Sequence, residues 1–356
     1  MGTGLPGQHL FPALCSYPGG GIRQAMVVGE GDRSSARKAT LATELHKPES
    51  PTARSPAFWS NANKEDIVAS RIQKDKADLF MQMHDGKDIL LLANSWDVGS
   101  SRLIEACGYS AIATTSMGIA ASLGYPDGQV MQLSEMLPTI SGIVDAVQVP
   151  VTADIEAGYG DNADDVVSTV KKMIDTGIVG INIEDSVSLS PALIDEMEFS
   201  ERIVAIRELS DSLGLHLVIN ARTDAFYTSS GSTHEKLAES IRRGNRYSEA
   251  GADCVFVQPV WQREIISTLV KEINAPINIL ANPGIGGGLP PSVSELQELG
   301  VARLSLGSGL MKATLALMKK VADELSGQGT YTTLQEMMTP PSDAAKAYRM
   351  AIGLDA

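Results

Sequence analysis

From about residue 62 onward, short and continuously apolar runs alternate with longer segments of mixed polarity. Apolar runs without alternating polar residues are typical of parallel strands that are buried on both faces. Parallel neighbours need crossover connections, usually helices, so this alternation strongly restricts the folds available to the chain. The predicted strands lie at 89–93, 111–113, 149–153, 179–183, 215–219, 254–257, 277–280 and 302–306.

The segments between these strands carry signals for the beginning and the end of helices. Ser-x-x-Glu sequences, which are typical of capping boxes, occur at Ser232–Glu235 and Ser292–Glu295. Five segments are followed by a glycine suited to a left-handed C-cap, namely Gly108, Gly177, Gly214, Gly251 and Gly300. The predicted helices lie at 64–84, 98–106, 133–147, 163–176, 199–213, 235–250, 263–273, 292–299 and 308–325.

Eight strands that alternate with eight helices predict a (β/α)8 TIM-type barrel over residues 63–327. A doubly wound sheet is the alternative fold, and it needs a glycine-rich phosphate-binding turn after an early strand. The first strand is followed by Asn94-Ser95-Trp96-Asp97, which has no glycine. This favours the barrel, with a helical tail at residues 328–356.

Residues 1–62 differ from the barrel region in composition. They are rich in Gly, Pro, Ser and Thr and show no sustained hydrophobic period, which predicts a flexible N-terminal extension. No positively charged segment is followed by an apolar one, as a secretory signal requires, so we expect a cytoplasmic protein. The scattered arginines and serines of this extension leave a mitochondrial location open as the alternative.

Net charge and cysteine content exclude several classes of function. The chain has 29 Lys and Arg against 43 Asp and Glu, a formal net charge of −14. This argues against nucleic acid and anionic membranes as partners, because both attract basic surfaces. No apolar run is long enough for a transmembrane helix. The three cysteines form no CxxC pair, which argues against a disulfide framework or a zinc site.

Acidic residues cluster at the ends of two predicted strands. Active sites of barrels lie at the carboxyl ends of the strands, and Asp154, Glu156 and Glu184 follow neighbouring strands there. On an extended strand end, residues two apart point to the same side, so the three carboxylates are expected to converge. Oxygen ligands of this kind suit Mg²⁺ or Mn²⁺. The alternative is that some of these acids cap helices or pair with Arg222.

Other polar residues are expected at the same carboxyl end of the barrel, which we call the mouth. Arg222 could clamp a carboxylate or a developing oxyanion, or serve as counter-ion to the acids, and the two roles are compatible. A loop is predicted at residues 117–128, where the backbone N–H groups of Ser116 and Gly118 could hold a substrate carboxylate. In this loop Asp127 could hang over the mouth, or simply form a Pro-Asp-Gly turn.

The sequence at 153–160, ADIEAGYG, resembles the D-x-D/E-x-G-Y/F-G signature of the isocitrate lyase/phosphoenolpyruvate mutase superfamily. The resemblance continues in SLGYPD at 122–127, GINIED at 180–185 and NARTDAF at 220–226, and it covers residues 88–325. It implies a modified barrel whose last helix is exchanged between the subunits of a dimer or tetramer.

The same resemblance implies roles for individual residues. The acids matching Asp154, Glu156 and Glu184 hold Mg²⁺, directly or through water. The arginine matching Arg222 binds the charged group of the substrate. The remaining implied site residues are Asp127 at the mouth and backbone groups near Thr115 and Ser116 for the carboxylate. Gln258 stands where mutases have a histidine, which is a departure from the superfamily pattern. Gln258 and Asn282 are predicted to line the pocket.

A second departure lies in the loop after the Glu-Asp strand, and the two together argue against both isocitrate lyase and a standard mutase. The C–C lyases carry a K-K/R-C-G-H loop after the Glu-Asp strand, and phosphonomutases have a gating loop there, but residues 186–199 contain no Lys, Cys or His. We therefore predict a Mg²⁺-dependent C–C lyase or decarboxylase for a small 2-oxo or 2-hydroxy (di)carboxylic acid. The alternatives are P–C bond chemistry, as a mutase or phosphonopyruvate hydrolase, and a non-catalytic barrel that binds a carboxylate.

Overall fold

A ring of parallel strands forms the centre of the computed structural model, which describes residues 69–85, 87–186, 192–282, 288, 290–338 and 349. The nine strands are β1 (Leu90–Leu92), β2 (Asn94–Ser95), β3 (Ile112–Thr114), β4 (Val151–Asp154), β5 (Gly180–Glu184), β6 (Val218–Thr223), β7 (Cys254–Val257), β8 (Ile277–Leu280) and β9 (Arg303–Ser305). Their order in the sheet is β1-β9-β8-β7-β6-β5-β4-β3-β2, and every pairing is parallel.

The first strand position is shared by two short pieces. β1 pairs with β9, β2 pairs with β3, and only Ala93 separates the pieces, so the segment 90–95 completes the ring. Eight strand positions with helical crossovers confirm the predicted (β/α)8 architecture. The predicted extension at 1–62 and most of the tail at 328–356 lie outside the described residues, and their boundaries remain predictions.

The helices surround this ring and connect its strands. They are α1 (Arg71–Gln82), α2 (Val98–Ala106), α3 (Ser116–Ser122), α4 (Leu133–Ala146), α5 (Ala163–Asp175), α6 (Glu196–Ser212), α7 (Ala225–Thr228), α8 (Thr233–Glu249), α9 (Arg263–Glu272), α10 (Val293–Glu298), α11 (Gly309–Gln328) and α12 (Thr332–Met337). None of these helices is both long enough and apolar enough to cross a membrane.

The predicted helix-end signals are confirmed. At α8 the Ser232 hydroxyl accepts from the Glu235 amide at 3.3 Å, and the Glu235 carboxylate accepts from the Ser232 amide at 2.7 Å. The corresponding capping box is present at α10. The five predicted C-cap glycines all have φ between +58° and +109°, a region that residues with a Cβ avoid. Local sequence therefore defines where several of the helices begin and end.

Helix α1 lies across the amino end of the barrel. Its Phe80 is fully buried against Gly180, where an added Cβ would stand 2.8 Å from the ring. Inside the barrel, the buried guanidinium of Arg303 donates to the Asn182 side chain at 3.0 Å. It also lies 3.4 Å from Nε2 of His84, and burial together with the Arg303 charge lowers the pKa of His84 to about 4. His84 is therefore neutral at this end.

The predicted loop at 117–128 is wrong in its first half. Residues Ser116–Ser122 form helix α3. Its N-cap is Thr115, whose hydroxyl accepts from the Gly118 amide at 3.4 Å. The run Gly-Ile-Ala-Ala in this helix contains two alanines, the residue with the highest helix propensity. The threonine N-cap offsets the low helix propensity of the glycine. The loop proper starts at Leu123 and carries Asp127.

Candidate active site

The carboxyl ends of β4, β5 and β6 bring the predicted charged residues together. Asp154 is the last residue of β4 and Glu184 the last of β5, while Arg222 lies within β6. Glu184 is directly opposite Arg222 in the register of these two strands. Parallel strands thus place the acids and the arginine at one edge of the barrel, as predicted from their positions in the sequence.

Arg222 holds two carboxylates at this edge. Its Nη1 contacts Glu184 Oε2, and its Nε and Nη2 donate to the two oxygens of Asp224 at 2.7 Å each. Gln258 Nε2 also donates to Asp224 at 3.2 Å, and Ser186 donates to Glu184 at 2.7 Å. The counter-ion role foreseen for Arg222 is therefore present. The guanidinium side chain is still 23% exposed, so it also faces the mouth.

Asp185 lies beneath this network and contacts the residues that flank it. Its buried carboxylate accepts from Thr223 Oγ1 at 2.7 Å, from Tyr247 OH at 2.7 Å and from the Asp224 amide at 2.9 Å. Arg243 Nη1 donates to it at 3.1 Å. The sequence reading identified neither Asp185 nor Asp224 as a site residue. The available signal was the spacing of Arg222 and Asp224, which on a chain leaving a strand allows a bidentate pair.

Asp154 is bound to the beginning of α3. Its Oδ2 accepts from the Ser116 amide at 3.0 Å and from the Ser116 hydroxyl at 2.8 Å. Gly118 lies two residues further, and a Cβ there would stand 2.6 Å from Thr115 Cγ2 and 2.8 Å from Trp96 Cβ. Glycine is therefore required at 118 for packing. The use of Thr115, Ser116 and Gly118 to hold a substrate carboxylate remains a prediction.

Glu156 reaches the site by a different route from the expected one. The predicted extended strand end is wrong, because β4 ends at Asp154 and Glu156 has φ +52°, in the left-handed region. Its Oε2 accepts from the Gln129 amide at 2.6 Å, and Tyr159 OH donates to Oε1 at 3.3 Å. A tight turn, rather than strand alternation, therefore sets the direction of this side chain.

Burial and neighbouring negative charge raise the pKa of three acids at the mouth, Glu156, Asp127 and Glu184. Burial and the charges of Asp154 and Asp127 raise the pKa of Glu156 to about 7. Partial removal from water and the charge of Asp154 likewise raise the pKa of Asp127. Burial raises the pKa of Glu184 as well, and the adjacent Arg222 opposes that shift. Mutual repulsion of this kind is relieved by a bound cation.

The donor set fits Mg²⁺ or Mn²⁺ held partly through water. Among the described residues, no three His, Cys, Asp or Glu side chains already converge as direct metal ligands. Both carboxylate oxygens of Glu184 and of Glu156 are engaged by protein groups, whereas Ser116 donates to Oδ2 of Asp154. Asp154 is therefore the best placed direct ligand. Mg²⁺ keeps several waters and uses one or two carboxylates directly, and a water-mediated role for the other acids is compatible with these positions.

The two remaining predicted residues follow β7 and β8. Gln258 comes directly after β7 and joins the Arg222 network through Asp224. Asn282 lies two residues after β8, is 7% exposed, and packs beside Gly309 at the start of α11. Both therefore lie at the carboxyl end of the barrel, where the sequence predicted them. Contact of either with a substrate remains a prediction.

A family model described as phosphoenolpyruvate phosphomutase matches residues 80–326. The chain belongs to this family. The resemblance to the isocitrate lyase/phosphoenolpyruvate mutase superfamily that the motifs indicated is thereby confirmed. The match begins within α1 and ends within α11, so it includes the whole barrel of this phosphoenolpyruvate mutase family member.

Individual relatives agree with this membership. The chain is 34% identical over 229 residues to the uncharacterized protein Rv1998c of Mycobacterium tuberculosis, covering 64% of this chain and 81% of the relative. It is 29% identical to the 2-methylisocitrate lyase of Escherichia coli, covering 70% and 84% of the two chains. The phosphoenolpyruvate phosphomutase structure from Streptomyces platensis has a TM-score of 0.65 at 24% identity, covers 77% of this chain and 95% of its own, and shows the shared fold.

Proposed function

We propose that this barrel is a Mg²⁺- or Mn²⁺-dependent C–C lyase or decarboxylase for a small 2-oxo or 2-hydroxy (di)carboxylic acid. The observation that carries the proposal is the cluster of Asp127, Asp154 and Glu156, in which burial and the charge of Asp154 raise the pKa of both Asp127 and Glu156. An unneutralised cluster of this kind is costly to a fold but suits a divalent cation. The likeness to a 2-methylisocitrate lyase supports the choice of reaction class.

Each site residue has a definite task in this proposal. Asp154 would hold the metal directly, and Glu156 and Glu184 through water. When bound, the metal supplies a Lewis acid that stabilises negative charge developing on a substrate oxygen as the C–C bond breaks. Arg222, fixed by Glu184 and Asp224, would hold the distal anionic group of the substrate. Asp127 would approach the substrate from the mouth.

The residue composition of the segment after β5 favours decarboxylation over a cleavage that needs a proton donor from this loop. Residues 186–199 supply no Lys, Cys or His to protonate a leaving carbanion. Loss of CO2 needs no acid at the departing group, so that reaction is compatible with this loop. The alternative, P–C bond chemistry as a mutase or phosphonopyruvate hydrolase, is supported by the family to which the chain belongs. A non-catalytic barrel that binds a carboxylate is the second alternative.

Product analysis by ¹H and ³¹P NMR with Mg²⁺ tests these possibilities together. The substrates are oxaloacetate, 2-methylisocitrate, isocitrate, dimethylmalate, phosphoenolpyruvate and phosphonopyruvate, each with a parallel EDTA control. We expect metal-dependent pyruvate, succinate or another cleavage product from a phosphorus-free acid. A shifted phosphorus resonance would support the P–C alternative instead, and full activity in EDTA would contradict the metal-dependent mechanism.

We also propose that the protein is a homodimer or homotetramer. Helix α11 has 20 residues, of which one, Met311, is buried among the described residues. With α12 it exposes an apolar face that includes Leu317, Met318, Leu325 and Met337. Large apolar patches of this kind mark protein interfaces, and a second copy with an exchanged helix would cover this one. Light scattering coupled to size-exclusion chromatography measures the assembly, and a monomer at micromolar concentration would contradict it.

A further inference from the structure

Three residues near the site have a left-handed backbone conformation, and they contact one another. Apart from glycines, the described residues with positive φ are Gln129 at +55°, Glu156 at +52° and Tyr159 at +53°. Residues with a Cβ adopt this region rarely, and each instance is held in place by surrounding contacts. Gln129 lies 27 residues before Glu156, so tertiary contacts and not one local turn bring the three together.

Gln129 contacts this group with both its main chain and its side chain. Its amide donates to Glu156 Oε2 at 2.6 Å, and its side-chain Oε1 accepts from the Tyr159 amide at 2.8 Å. Tyr159 OH in turn donates to Glu156 Oε1 at 3.3 Å. Two hydrogen bonds therefore link the Gln129 loop to the turn that carries Glu156, and a third closes the turn itself. We call this set of contacts the Gln129 clasp.

The clasp also fixes the loop that carries Asp127. Asp127 is two residues before Gln129, in the connection between α3 and α4. The other part of this connection is held by Tyr125, whose OH donates to Glu135 at 2.6 Å and whose amide donates to Ala120 O at 2.9 Å. Asp127 thus lies between two fixed points, and one of them is the Glu156 turn itself.

We propose that Gln129 is a positioning residue, which holds the Asp127 loop against the Glu156 turn and so sets the relative positions of these two carboxylates. The side-chain amide oxygen is the essential group, because it connects the loop to the backbone of Tyr159. The inference rests on the proposed function in that Glu156 belongs to the metal site. Residues that orient a ligand in this way affect metal affinity without touching the metal.

Two substitutions and a control test the clasp. Gln129→Met keeps the size of the side chain but removes the acceptor, whereas Gln129→Gly removes the side chain and relieves the left-handed backbone. Gln148→Met, at an exposed glutamine away from the site, is the matched control. Hydrogen–deuterium exchange resolved to the Tyr159 amide and to residues 123–132 is measured first, followed by the Mn²⁺ dissociation constant from calorimetry.

We expect exchange at Tyr159 and in the loop to rise about tenfold or more in both Gln129 variants, and Mn²⁺ to bind about tenfold more weakly. The Gln148→Met protein should match the wild type. Unchanged exchange at Tyr159 in Gln129→Met, or a Gln129→Gly protein that behaves as wild type, would overturn the clasp. So would faster exchange with unaltered Mn²⁺ affinity. If the wild type itself binds no Mn²⁺, the proposed function fails, and loop exchange alone then decides whether Gln129 holds the loop.

Discussion

Two buried carboxylates, Asp253 at the amino end of the barrel and Glu156 at the carboxyl end, have pKa shifts of opposite sign. At the amino end, Asp253 precedes β7 and accepts from Arg207 at 2.6 Å, from His216 at 2.8 Å and from the Ile219 amide at 2.8 Å. Burial alone would raise the pKa of Asp253, but the hydrogen bonds from His216 and Ile219 and the Arg207 charge lower it overall. This carboxylate is satisfied by the protein itself.

At the carboxyl end, Glu156 is surrounded by other acids. It accepts from Gln129 and Tyr159, yet burial, Asp154 and Asp127 raise its pKa to about 7. Similar burial therefore gives pKa shifts of opposite sign, because cations and donors face Asp253 whereas carboxylates face Glu156. At the amino end the acid stabilises the fold, whereas the acids at the mouth lack balancing positive charge, which under the proposed function a bound cation would supply.

The largest contrast is expected in activity. Asp154→Asn removes the best placed direct metal ligand, so we expect metal-dependent turnover to fall roughly a thousandfold. Asp253→Asn, at the opposite end, should leave turnover at pH 7 within about threefold of wild type once the protein is folded. Steady-state assays with the substrate identified by NMR measure both. An Asp154→Asn enzyme with near-normal turnover would contradict the assignment of this residue to the metal.

Asp185 gives the largest expected effect on stability. It lies under the mouth, but like Asp253 it is surrounded by donors, from Arg243, Tyr247 and Thr223. Asp185→Ala leaves the buried hydroxyls of Thr223 and Tyr247 without this acceptor and leaves Arg243 with Glu239 as its remaining carboxylate partner. We therefore expect a loss of about 3–5 kcal/mol in the free energy of unfolding. Urea denaturation measures it. Asp185→Asn retains an acceptor for the hydroxyls and should lose less, and equal losses would show that charge rather than hydrogen bonding dominates.

The barrel could be predicted from the sequence because the signals for its strands and helices are local. The detailed geometry of the mouth could not be predicted, since it depends on contacts between distant parts of the chain. Continuous apolar runs and capping motifs such as Ser232–Glu235 identify strands and helix ends independently of the rest of the chain. The positions of Asp154 and Arg222 then follow from the parallel topology. The left-handed turn at Glu156 is different, since it is held by Gln129 from another loop, and no local pattern predicts that contact.

The pH dependence of stability distinguishes the two ends. The folded pKa of Asp253 is lowered, so its contribution to stability is complete above the unfolded pKa of about 3.9 and is lost as the pH falls through the folded value. Asp253→Asn should therefore reduce the unfolding free energy by about 1–3 kcal/mol at pH 7. The difference from wild type should shrink below about pH 4. A loss that is the same at pH 7 and pH 3 would contradict the electrostatic origin.

Replacing Glu156 should change the pH dependence of stability in the opposite direction, and this is the smallest of the expected effects. Its folded pKa of about 7 lies above the unfolded value of about 4.3, so in the metal-free protein the charged carboxylate destabilises the fold above pH 7. Glu156→Gln should then raise the melting temperature in EDTA at pH 8 by about 2–4 °C, corresponding to about 1 kcal/mol. The gain should vanish below about pH 4.3, where the carboxylate is protonated in both states.

Mg²⁺ should reverse the order of the melting temperatures of the wild type and the Glu156→Gln protein. Saturating metal stabilises whichever protein binds it more tightly, by an amount set by the ratio of concentration to dissociation constant. The wild type, with a carboxylate at 156, is expected to gain more than Glu156→Gln and to melt at the higher temperature. If the variant remains the more stable protein with Mg²⁺ present, the repulsion at the mouth is not relieved by a metal at Glu156, and the contrast between the two ends of the barrel needs another explanation.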